Sequence, residues 1–99
     1  MALRKLKYEA EIALRHFQIL KAVKENQPIG IFKLAEVLNM PKHKVRYSLR
    51  VLEHAGVIEP SQHGAVIPEG ADEKIEKMKK DLQEIRKYID EIEKLAESL

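Results

Sequence analysis

The chain has 99 residues, 44% hydrophobic and 34% charged, which suits one folded domain with a heavily charged surface rather than a disordered chain. It contains no cysteine, which excludes disulfides, zinc–thiolate sites, iron–sulfur clusters and cysteine nucleophiles. The net charge of +2 hides a basic front half and a slightly acidic tail, and from Pro41 to Leu52 there are four Lys/Arg and no carboxylate.

The first element is helical. Leu3, Leu6, Ala10, Ala13, Phe17 and Leu20 recur at alternating steps of three and four, with Ile12, Leu14, Ile19 and Val23 widening the stripe. One helix from about Leu3 to Glu25, or an arm followed by a helix from Glu9, both fit. Asn26-Gln27-Pro28-Ile29-Gly30 breaks the pattern. A short helix from Ile31 to Leu38 shows Ile31, Leu34, Ala35 and Leu38 on one face. Asn39-Met40-Pro41 is a turn, since Pro disfavours helix before it and suits the first turn after it. A third helix runs from Pro41 to about Ala55, with Gly56 just past its end.

The period then changes. Val57–Pro60 and Ala65–Pro68 are short β-type runs around the turn Ser61-Gln62-His63-Gly64, predicting one small hairpin. Asp72 and Glu73 suit the first turn of a last helix, where the macrodipole favours acidic residues. Along it Ile75, Met78, Leu82, Ile85, Ile89, Ile92, Ala96 and Leu99 step 3-4-3-4-3-4-3, a coiled-coil seam. The reading is mainly α with a small β-hairpin, divided into residues 1–70 and a C-terminal dimerisation helix, 71–99.

The motif Leu34-Ala35-x-x-Leu38-x-Met40, followed by Val45, Leu49, Leu52, Gly56 and Ile58, resembles the winged helix-turn-helix of small prokaryotic regulators of the ArsR, MarR and PadR kinds. The resemblance covers roughly Ile12 to Pro68, and the Lys/Glu/Ile-rich style is similar to archaeal members. It implies a transcription regulator that binds double-stranded DNA, with the N-terminal half of the third helix in the major groove. The helical arithmetic agrees. Val45, Leu49 and Leu52 share one face; His43, Tyr47, Arg50 and His54 lie opposite, with Lys44 and Arg46 on the flanks. His43, Lys44, Arg46 and Tyr47 are therefore expected near bases, and Lys42 and Arg50 near phosphates.

Three features depart from the usual pattern. Pro41 and Gly30 stand where helix-capping Ser or Thr is common. The wing tip, Ser61, Gln62 and His63, has no Arg or Lys for a minor groove. The expectation is modest affinity per half-site and a need for two copies. Homodimerisation through Ile75, Met78, Leu82, Ile85, Ile89, Ile92 and Leu99 supplies them, and ending the chain after Gly70 should weaken DNA binding. The same seam could instead pack on the N-terminal helix of its own chain, or join a bundle of both helices from two chains.

His16, His43, His54 and His63 form no i,i+4 pair, so no metal site is expected. No Ser-His-Asp set or phosphate loop is evident, and neither enzyme activity nor a cofactor is expected. No apolar run nears the roughly 20 residues of a membrane span, and Met1–Lys7 lacks the apolar segment of a secretory signal. A cytoplasmic protein is the expectation. A winged-helix protein–protein interaction module of a multisubunit assembly is the alternative function.

Overall fold

The computed structural model describes residues 2–99. Helix α1 spans Leu3–Asn26, α2 Ile31–Leu38 and α3 Lys42–His54; strands β1 and β2 are Glu59–Ser61 and Gly64–Val66; helix α4 is Ala71–Glu97. The first segment is thus one continuous helix of 24 residues, not an arm and a helix.

Only the C-terminal half of α1 reaches the core. Ile19, Leu20 and Val23 meet Leu34 and Ala35 of α2, Val45, Leu49 and Leu52 of α3, and Val57, Ile58 and Ala65 beyond it. Each large aliphatic side chain taken fully out of water contributes roughly 1.5–3 kcal/mol.

Tight turns close the ends of α2 and α3, and the first of them sets the angle between the two helices. At the end of α2, Asn39 adopts a left-handed conformation (φ 51°), its N–H donates to Glu36 O, and Met40 N–H donates to Ala35 O. The end of α3 repeats the arrangement, with Gly56 (φ 77°) donating to Glu53 O and Val57 to Leu52 O. Both are Schellman closures, which satisfy otherwise orphaned carbonyls.

The hairpin starts later than the β-type run suggests. Val57 and Ile58 N–H groups both donate to Leu52 O, so the end of α3 uses their backbone and their side chains fill the core. Pairing begins at Glu59, opposite Val66. At the other end, Ile67 N–H donates to Gln27 Oε1 instead of continuing the ladder. Ile29 adds an antiparallel bridge to Ala65, with bonds of 3.1 and 2.7 Å. This approach requires Gly64 (φ 129°), because a Cβ there would lie 2.5 Å from the Ile29 carbonyl carbon.

Helix α4 begins inside this domain. Ala71 is buried, and Ile75 and Met78 pack partly buried against the core. Beyond Met78 the helix projects outward, as does the N-terminal half of α1. The radius of gyration is 15.8 Å, against about 13 Å for a compact chain of this length.

Candidate nucleic-acid interface

Helix α3 is oriented by four buried side chains, Val45, Ser48, Leu49 and Leu52. Their spacing leaves the other face to solvent, and Lys42, His43, Lys44, Arg46, Tyr47 and Arg50 are all exposed on it. Pro41 precedes the helix in an extended conformation with no side-chain cap. Its carbonyl accepts from Lys44 and Val45 N–H, so the first turn closes without a capping hydroxyl.

Two of these side chains are held by groups from other helices. The Lys42 ammonium lies 4.2 Å from the ring centroid of Phe32, the second residue of α2. Phe32 is 70% exposed, so its ring serves the cation and not the core. Tyr47 is flanked by α1: the His16 ring centroid is 6.1 Å from its own, and the Arg15 guanidinium carbon 6.0 Å.

Beneath Tyr47 sits Ser48, the buried polar side chain of the core among the described residues. Arg15 Nε donates to its Oγ at 3.3 Å, and His16 Nδ1 lies 2.8 Å from the same oxygen. Arginine has only protons to give. The serine oxygen therefore accepts from Arg15, and its bond with Nδ1 runs in the direction set by the tautomer of the neutral imidazole. Burial, and then the charge of Arg15, push the His16 pKa below its usual value, which favours that neutral form.

The wing residues are exposed, but Ser61 is already engaged. Its Oγ donates to Gly64 O at 2.6 Å and accepts from His63 N–H at 3.4 Å. The free polar groups of the tip are the side chains of Gln62 and His63. The hairpin lies toward the Leu49–Glu53 side of α3, where these two residues share a small cleft with Pro60 and Ser61.

Sequence reasoning missed Arg15, His16, Ser48 and Phe32. Ser48 carried a signal, a hydroxyl three residues after Val45 and four before Leu52 on the apolar back of α3. The positions of Arg15 and Phe32 gave none.

Of the seam residues, Ile75 and Met78 touch the chain's own core, Ile89 is half-buried, and Leu82, Ile85, Ile92 and Leu99 are exposed. The facing stripe of α1 stands apart from them across an open apolar groove of about 590 Å³, bordered by Leu6, Leu14, Phe17, Leu82 and Ile85. Among the described residues, no three His, Asp or Glu side chains gather as a metal site. Nor is any described helix long and apolar enough to cross a membrane.

Three helices, a hairpin packed beside the third, and a basic face on that third helix are the defining arrangement. The fold is a winged helix-turn-helix. Residues 14–59 match the family model described as winged helix-turn-helix DNA-binding, from the middle of α1 to the start of β1. Among solved structures, a GntR family transcriptional regulator from Listeria monocytogenes is similar, with a TM-score of 0.63. The two share 21% identity over 90% of this chain and 82% of that one. No curated protein matches the sequence.

Proposed function

We propose that the chain is a sequence-specific double-stranded DNA-binding transcription regulator that acts as a homodimer. The observation that carries this reading is the exposed face of α3. Six basic, imidazole or phenolic side chains stand on one helix whose back is locked into the core. Arg46, Lys44, His43 and Tyr47 have the donors to read base edges in a major groove, and Lys42 and Arg50 to hold phosphates. The wing, through Gln62 and His63, lies beside the groove and adds hydrogen bonds. In this reading the chain is a binding protein, not an enzyme, and needs no cofactor. Its motif resembles that of regulators of the ArsR, MarR and PadR kinds, and we place its function with theirs.

The homodimer reading is supported by the exposed apolar rows on α4 and the N-terminal half of α1. Leu14, Ile85, Ile92 and Leu95 are 45–69% exposed, and a second copy would take such side chains out of water. A second copy covering the α4 seam places two recognition helices on one duplex.

Binding of a labelled random-sequence duplex over a salt series tests the function. A dimer neutralising about 6–8 phosphates gives a log–log slope of roughly −5 to −7. The double variant Arg46→Ala/Tyr47→Ala should bind roughly ten-fold more weakly or worse. Absence of wild-type binding at low salt would instead favour the interaction-module alternative, with the apolar groove as its docking face.

A further inference from the structure

We propose that Arg15 of α1 is a DNA-backbone contact, holding a phosphate on the flank of α3 opposite the wing. This inference rests on α3 being the recognition helix and extends the interface to a helix outside the helix-turn-helix unit.

The wing tip has no Lys or Arg, so on its flank the cations for the backbone stand on α3 itself, Lys42 and Arg50. The opposite flank draws one from α1. Ser48, which Arg15 holds, and Glu53, which faces the hairpin, lie about 140° apart around α3 at 3.6 residues per turn. A helix seated in a major groove has a phosphate backbone along each side. Arg15 therefore stands where the second backbone passes, level with the outward-facing Tyr47.

The side chain is half-buried and fixed before any ligand arrives. Nε is bonded to buried Ser48, and the guanidinium lies against the Tyr47 ring. Beyond that bond it has no hydrogen-bond partner among the described residues. The described ion pairs, Lys33–Glu36 and Lys79–Glu76, leave it without a carboxylate. A pre-organised guanidinium with free terminal N–H groups suits a phosphate, and little rotamer entropy is lost on binding. Arg15 also shares an open cleft of about 390 Å³ with Lys44, Tyr8, Asn39 and Pro41. One carboxylate, Glu11, lines the same cleft. The Lys44 charge at the edge of this cleft adds to the positive potential there.

The test is the salt dependence of duplex binding by the full chain, between about 50 and 200 mM salt. Arg15→Gln should weaken binding roughly ten-fold at the lower salt. It should also flatten the slope by about 0.9 for each Arg15 engaged. Arg15→Lys should restore the slope, because a charge remains. Ser48→Ala, which frees the arginine without removing its charge, should lower affinity at an unchanged slope. A purely structural Arg15 predicts weaker binding with the wild-type slope in Arg15→Gln, and that result overturns the assignment alone. A wild type that does not bind duplex at all overturns the recognition-helix reading and this inference with it.

Discussion

Ser48 illustrates how a single hydroxyl can tie the exposed face of one helix to the scaffold behind it. Its bonds to Arg15 and His16 span 33 and 32 residues of chain and join α1 to α3 beneath Tyr47. The His16 pKa is depressed in the folded state, chiefly by burial. A base with a depressed folded value supports the fold fully above its unfolded value of about 6.5, and loses that support as pH falls through the lower folded value. Urea melts from about pH 7.5 to about pH 5 should therefore show wild-type stability falling more steeply with acid than that of His16→Gln. A second residue-scale prediction concerns Gly64. A Cβ there would collide with the Ile29 backbone at a φ that L-residues avoid, so Gly64→Ala should cost roughly 1–3 kcal/mol in denaturant melts. The loss should appear first as faster amide exchange at Ile29 and Ala65, whose mutual bonds the methyl group displaces.

At the scale of elements, α4 divides into two parts. Its first two turns complete the core through Ala71, Ile75 and Met78, while its remaining turns meet little of their own chain. The helix proposed for dimerisation, residues 71–99, thus also contributes to the chain's own core. Ending the chain after Gly70 strips apolar cover from the core as well as removing the seam. Ending it after Lys80 separates the two roles, and that form should keep a cooperative thermal transition while sedimenting as a monomer. The double variant Ile85→Glu/Ile92→Glu tests the same seam in the intact chain. Each buried aliphatic is worth roughly 1.5–3 kcal/mol, so two carboxylates in each of two facing helices should shift the proposed dimer to monomer at micromolar concentration. Sedimentation of this variant as an unchanged dimer would remove α4 from the interface.

The whole molecule measures 55 × 29 × 20 Å, long because α1 and α4 extend past the shared core. The projecting halves carry apolar residues toward one groove, and α3 presents its basic face elsewhere on the domain. The proposed dimerisation and DNA binding would therefore use separate surfaces. A two-fold dimer sets its recognition helices about one DNA turn, roughly 34 Å, apart. Selection from random duplexes should accordingly return inverted half-sites centred about 10 base pairs apart, and the monomeric α4 variants should select only a single half-site.

Much of this protein was determined by local sequence. The 3-4 steps of Leu34, Ala35 and Leu38, and of Val45, Leu49 and Leu52, set which faces of α2 and α3 enter the core. By exclusion they set the exposed face of Lys42, His43, Arg46, Tyr47 and Arg50. Gly56 marked the end of α3, because only a residue at ease with positive φ closes that turn cheaply. Those are properties of neighbours within one or two helical turns, and periodicity reports them. Tertiary structure decided the rest. The Arg15–Ser48 bond, the Lys42–Phe32 contact and the Ile29–Ala65 bridge join positions that no local period relates. Val57 and Ile58 read as strand, yet became core because the carbonyl of Leu52 took both of their N–H groups. The seam of α4 was plain in the sequence; that its first turns serve the chain's own core depended on where the hairpin returned the chain.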